Sequence, residues 1–197
     1  PSSAASDVYK RQNVEYAGSG NEFRGGLYRG YISELQIQWL RNDLSHVPKD
    51  KLIVIASHIP LITEADDGVS PVLTGPRTEN LGELLKTLEP FENIYAIAGH
   101  DTSNSFKVQI NHQHGWNGKP WIAHTLGEVR GSGWTRGPPD LRGVRDAMME
   151  DGNPNGFYVL KFNNVELIPE FIPFPSGSDG TNRMRIMLDP PMTCLLY

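Results

Sequence analysis

Apolar residues along this chain fall into two rhythms, and the switches between them predict the elements. From Ser33 to His46 the rhythm is helical, with Leu35, Trp39 (or Leu40) and Leu44 as the apolar stripe. Ser33 with Gln36 three positions later has the residues of a capping box, in which each side chain satisfies a free backbone N–H. Pro48 closes the segment. Residues 51–57 (KLIVIAS) are continuously apolar inside and rich in β-branched types, which predicts a strand buried on both faces. A long loop with three prolines and two glycines follows from Ile59 to Arg77, a length that in compact domains goes with function or mobility. Thr78 then opens a second predicted helix, whose Leu81, Leu84, Leu85 and Leu88 recur at i, i+3, i+4 and i+7. Residues 93–98 (NIYAIA) read as the next buried strand, and the strand–helix–strand order is an α/β pattern.

Past residue 100 the rhythm alternates. Phe106, Val108 and Ile110 take one side of a predicted strand over 105–110, with Lys107 and Gln109 on the other. Trp121 to Ala123 is a further short strand. Residues 127–155, rich in Gly, Pro and Arg, read as loop with one short helix near Val144 to Met149. Residues 156–162 and 165–168 make a β-hairpin with Asn163-Asn164 at its turn, and 183–188 read as another strand. An α/β half thus gives way to a β-rich module.

Composition narrows the picture. Among 197 residues, 23 acidic side chains face 18 basic ones, which disfavours a nucleic-acid partner, since that calls for a basic face. No apolar run approaches the ~20 residues of a membrane span. One cysteine, Cys194, excludes an intrachain disulfide and a cysteine-rich zinc site. Residues 1–12 (PSSAASDVYKRQ) and the CLLY ending at Tyr197 resemble translated sequencing-adapter peptide; the alternative is a natural tail at each end. The expectation is that 1–12 and 193–197 are adapter-derived and that the biological protein extends further both ways.

Candidate chemistry sits at strand ends, where ligands gather in open α/β sheets. His58 follows the first buried strand, in Ser57-His58-Ile59-Pro60, and His100 follows the second, in Ala98-Gly99-His100-Asp101. Histidines ending two successive parallel strands can converge on one point, and neutral imidazole is a common transition-metal ligand. Alternatively, each hydrogen-bonds a loop carbonyl. His112 and His114, if on a strand, would face one side as further ligands or as solvated polar residues. Trp134 is a candidate wall of a substrate pocket, or a packing anchor. Arg130, Arg136, Arg142 and Arg145 are candidate phosphate contacts, or partners of Asp140 and Asp146.

These residues carry a family resemblance. His58-Ile59-Pro60 is similar to the "H-x-P" of calcineurin-like metallophosphoesterases, and Gly99-His100 to the start of their "G-H-x-H". Tyr28, Gly30, Gln36, Trp39-Leu40 and Asp43-Leu44 resemble the family's "Y-x-G … Q-x-x-W-L-x-x-D-L" lead-in. Downstream, Gly131-Ser132-Gly133-Trp134 and Asp151-Gly152-Asn153-Pro154-Asn155-Gly156 resemble the "G-S-W-W … D-G-T-P-N-G" of a C-terminal domain found in one branch. The resemblance implies a metallophosphoesterase β-sandwich flanked by helices, its second half over residues 13–115, and a β-rich C-terminal domain over 116–192. It implies hydrolysis of a phosphomonoester or phosphodiester, a phosphorylated small molecule as partner, and two divalent ions of the Mn, Fe or Zn type. His58 and His100 would be metal ligands and Trp134 substrate-binding. Members of this branch are often exported, which implies a periplasmic or extracellular setting.

Two departures bear on the chemistry. Thr102 stands where the second histidine of "G-H-x-H" belongs, and a hydroxyl is a far weaker ligand for a transition metal than imidazole. By the family's mapping His58 and His100 serve one ion and the neighbouring ion loses a ligand; Asp101, His112 and His114 are the nearby donors. The family's "D-x-H", "G-D-x-x-D" and "G-N-H-D/E" motifs do not occur between Asn13 and His58, so the chain by itself is expected to be inactive. The competing expectation is a degenerate phosphoesterase-fold protein that binds a partner or glycan-like ligand through its β-rich module. A nuclease of the same fold fits the acidic balance poorly.

Overall fold

The structure is a computed structural model, described over residues 13–16, 28–63, 77–100, 105–127, 135–139, 145–148 and 156–173, with backbone alone for 135–139, 145–148 and 173. It is a mixed α/β fold, rich in strands, with two α-helices among the described residues. In chain order these are β1 (Val14–Tyr16), β2 (Tyr28–Gly30), α1 (Glu34–Ser45), β3 (Leu52–Ala56), α2 (Leu81–Leu88), β4 (Asn93–Ala98), β5 (Phe106–Ile110), β6 (Trp121–Thr125), β7 (Thr135–Pro139), β8 (Arg145–Met148), β9 (Gly156–Asn163) and β10 (Glu166–Pro173). No helix of the described residues is long and apolar enough to cross a membrane.

The central sheet has the order β3-β4-β6-β5. β3, β4 and β6 run parallel, and β5 is antiparallel to β6. α2 is the crossover between β3 and β4, as a parallel pair requires. Registers Ile53↔Ile94, Ile55↔Ala96, Ala96↔Ala123 and Ile110↔Trp121 put these side chains on one face. There they join Leu84, Leu85 and Leu88 of α2 and Leu44 of α1 in one apolar cluster. Each of those α2 leucines is removed from water, a burial that stabilises by about 1.5–3 kcal/mol per side chain before entropy is counted. The opposite face carries Tyr95 and His124, which meet Tyr158 of the β9–β10 hairpin.

Helix α1 keeps the expected capping box, with Ser33 Oγ accepting from Gln36 N and Gln36 Oε1 accepting from Ser33 N. Its buried face is a correction: Ile37 and Leu44 are buried and Leu40 half-buried, whereas Leu35 is 73% and Trp39 44% exposed. At 100° per residue Leu35 and Trp39 point roughly 160° away from Ile37, so Ile37 rather than Trp39 marks the core line. Strand β3 is half-buried instead of buried, because it stands at the edge of the described sheet with β4 as its neighbour. Helix α2 begins at Leu81; Thr78 is spent on a bridge to Gly30.

Two later expectations also change. The short helix expected near Val144–Met149 is strand β8, paired antiparallel with β7. Between Arg136↔Ala147 and Pro139↔Arg145 the β7 side has one extra residue, an irregularity placed where Pro138 has no N–H to give the ladder. In the β9–β10 hairpin Asn163 pairs with Glu166, so the turn residues are Asn164 and Val165, one position later than expected. Asn164 takes φ 53°, the left-handed conformation that asparagine tolerates. The three-residue strands β1 and β2 were too short for a periodic signal. The strand expected over 183–188 lies outside the described residues.

Candidate metal-binding site

The parallel β3–β4 ladder continues past its last strand residues. Ser57 N donates to Ile97 O at 3.0 Å and Gly99 N to His58 O at 3.2 Å, which carries His58 and His100 to the carboxyl edge side by side. His100 has φ 68°, a conformation that costs an L-residue about 1–2 kcal/mol. Its Nδ1 lies 2.9 Å from His58 Nε2, with the rings 77° apart. His100 Nε2 is 3.3 Å from Tyr28 Oη, and the Tyr28 ring meets the imidazole edge-on at 5.6 Å. A pocket of about 220 Å³ opens here, lined by Val14, Tyr16, Tyr28, His58 and His100.

What holds His58 is Asn13. Its side chain is 3% exposed and has a partner for every hydrogen-bonding position. Oδ1 accepts from His58 N (3.0 Å) and Ile59 N (2.9 Å); Nδ2 donates to Ile59 O (2.8 Å) and Thr78 Oγ1 (2.8 Å). Thr78 in turn donates from both N and Oγ1 to Pro60 O. The turn after His58 is therefore pinned, and residues 59–63, where the expected long loop begins, are buried. Gly30 makes this possible, since a Cβ there would sit 2.2 Å from Arg77 O and 2.8 Å from Ile59 Cγ2. Beside it Arg29 bridges Glu15 (2.5 Å) and Glu79 (3.0 Å), tying β1 and β2 to the start of α2.

A second polar cluster lies on the far face of the sheet. His124 Nδ1 is 3.0 Å from Tyr95 Oη, the Tyr158 ring stands edge-on to the imidazole at 5.2 Å, and Tyr158 Oη is 3.1 Å from Ser105 Oγ. Burial, with the positive charge of Lys107 opposite in register, lowers the His124 pKa to about 4. Burial, with Tyr158 nearby, pushes Tyr95 up to about 12. At neutral pH the pair is uncharged.

Of the sequence-predicted ligands, the structure brings His58 and His100 together. His112 and His114 do not join them: residues 112–114 form a 3-10 turn rather than a strand, with His114 Nδ1 3.2 Å from both N and Oδ1 of Asn111. Asp101, Thr102, Arg130, Trp134, Asp140 and Arg142 lie outside the described residues, and Arg136, Arg145 and Asp146 are described by backbone alone. Asn13 and Thr78 were missed as supports of the site, because nothing local in the sequence links them to residue 58. Tyr28 was legible as part of the lead-in string but not as a neighbour of His100.

The donor set can be tested against a metal. Tetrahedral zinc with metal–nitrogen bonds of about 2.0–2.1 Å separates its nitrogens by about 3.3 Å, a few tenths more than the 2.9 Å here. Two unprotonated imidazoles thus fit two adjacent positions on one ion. Among the described residues no group of three or more His, Cys, Asp or Glu gathers, so His58 and His100 are the two donors that the described residues bring together here. No family model and no curated protein matches the chain.

Proposed function

We propose that this chain carries the two-histidine part of a metal-dependent phosphoester hydrolase of the calcineurin-like kind. The observation that carries the reading is the approach of His58 Nε2 and His100 Nδ1 to 2.9 Å at the carboxyl ends of two parallel strands. In it, His58 and His100 are neutral ligands to one divalent ion of the Mn, Fe or Zn type. Such an ion, when bound, supplies Lewis-acid polarisation of a phosphoryl oxygen and an activated water. The chain's own part is to present two lone pairs at a fixed spacing. Asn13 holds the His58 backbone, the β3–β4 ladder holds the spacing, and protons compete with metal for both nitrogens. The phosphoesterase sandwich and the two-ion centre belong to this proposal. Thr102 makes the second ion the weaker of the two.

The test is calorimetric titration of the chain with Zn²⁺ and Mn²⁺, alongside His58→Ala and His100→Ala. Binding is expected in the parent and lost in both variants; unaltered binding in either removes that residue from the site. In the complete gene product, His58→Ala is expected to abolish hydrolysis of p-nitrophenyl phosphate. A second reading, a phosphoesterase-fold protein that binds without turnover, is favoured by Thr102 in place of a histidine. Metal affinity without hydrolysis in the complete product would select it.

A further inference from the structure

We infer that Tyr28 is a positioning residue: its hydroxyl accepts the Nε2 proton of His100 and so keeps the Nδ1 lone pair free toward His58. The inference rests on the metal reading above. Two proton arrangements satisfy both contacts along the row Tyr28 Oη, His100 Nε2, His100 Nδ1, His58 Nε2, whose gaps are 3.3 and 2.9 Å. In one, Tyr28 O–H donates to His100 Nε2, and His100 Nδ1–H donates to His58 Nε2. In the other, His100 Nε2–H donates to Tyr28 Oη, and His58 Nε2–H donates to His100 Nδ1. A neutral imidazole has one N–H and one lone pair, so the proton's place on His100 decides which nitrogen is left to ligate.

A ligand through Nδ1 requires the second arrangement at His100, and an ion bound between the rings would also displace the His58 Nε2 proton, so that each facing nitrogen offers a lone pair. Metal-bound histidines commonly hand their other N–H to an oxygen that fixes tautomer and ring orientation. Tyr28 Oη is such an oxygen, and the edge-on contact of its ring holds the imidazole plane. Tyr28 is itself placed: its strand β2 pairs with β1 through Tyr16↔Tyr28 and Val14↔Gly30, and the Tyr16 ring packs at 6.2 Å. The left-handed backbone at His100 aims the imidazole between Tyr28 and His58.

The experiment uses the full chain with ¹⁵N-labelled histidine. Long-range ¹H–¹⁵N spectra of the metal-free protein read the tautomer of His100, and Zn²⁺ titration reads affinity. The probe variant is Tyr28→Phe, which keeps the ring and its packing and removes the hydroxyl. The parent is expected to show a protonated Nε2 and a lone-pair Nδ1 on His100. In Tyr28→Phe that preference is expected to be lost and Zn²⁺ affinity to fall by about 10–100-fold. A proton on Nδ1 in the parent, or an unchanged tautomer in Tyr28→Phe, overturns the inference. If the tautomer responds as stated but neither protein binds Zn²⁺, the metal reading falls while Tyr28 keeps its role. If Zn²⁺ binds both proteins equally through His58 and His100, the metal reading stands and the role of Tyr28 falls.

Discussion

Replacing Asn13 with alanine isolates what a single buried amide does for the histidine turn. The substitution leaves Ile59 N–H without its partner in a fully buried position. That orphaned donor costs about 1–3 kcal/mol. His58 N–H loses its bond as well, but the residue is exposed and water can replace Oδ1, so its share is about 0.5–1.5 kcal/mol. On the donor side the loss is small. Ile59 O still accepts from Ser57 Oγ at 2.9 Å, and Thr78 Oγ1 still donates to Pro60 O. The total is about 1.5–4.5 kcal/mol, which for a chain of this size lowers Tm by roughly 3–18 °C. Urea denaturation followed by circular dichroism measures the free energy, and the imidazole resonances of His58 report whether the turn has moved. Asn13→Asp provides a second point. It keeps the two acceptor bonds but turns a carboxylate oxygen toward Ile59 O, so it too is expected to destabilise. A loss below about 0.5 kcal/mol in Asn13→Ala would refute the clamp, because no accounting of orphaned buried donors gives so little.

Two further outcomes follow from the same physics. Unfolded, His124 takes up its proton near pH 6.5; folded, it does so only near 4, so stability is intact above pH 6.5 and falls as the pH drops toward 4, by about 3 kcal/mol in all. Urea midpoints between pH 7.5 and 4 measure this, and His124→Gln is expected to remove that step; an identical pH profile in the variant would refute it. At the left-handed position 100, glycine escapes the strain of about 1–2 kcal/mol but loses more entropy on folding, so His100→Gly is expected to be about 1 kcal/mol more stable than His100→Ala. Thermal melts of the two variants decide it, and a more stable alanine variant would mean the backbone there is not left-handed.

Long periodic segments were legible in the sequence for physical reasons. α2 announces itself because Leu84, Leu85 and Leu88 must all face the sheet, and β4 because both its faces are covered. The Ser33–Gln36 box is local, so it reads directly. The buried face of α1 does not, because Trp39 and Leu35 are apolar yet point outward, and side-chain type alone cannot rank two competing stripes. β7 and β8 escaped because Gly and Pro read as loop until a partner strand accepts the irregularity. At the site, the strand ends supplied His58 and His100. The supports Asn13 and Thr78 reach His58 and Pro60 across 45 and 18 positions of chain, and only the folded backbone brings them there.

The parallel ladder between β3 and β4 makes the chain length between the two imidazoles and their spacing in space independent quantities. Register Ala56↔Ile97 is set by backbone hydrogen bonds, and the bonds from Ser57 and Gly99 extend it to the histidines themselves. The ladder, rather than the number of residues in the connection, sets that spacing. Doubling the length of such a connection costs only about 0.6 kcal/mol in closure entropy. A change in connection length that spares the Thr78 contacts is expected to leave the register between the two strand ends as it is. A substitution that shifts the ladder by one residue turns one imidazole to the other face of the sheet. Variation at this site is therefore cheap in the connection and expensive in the strands, the reverse of what 41 intervening residues would suggest.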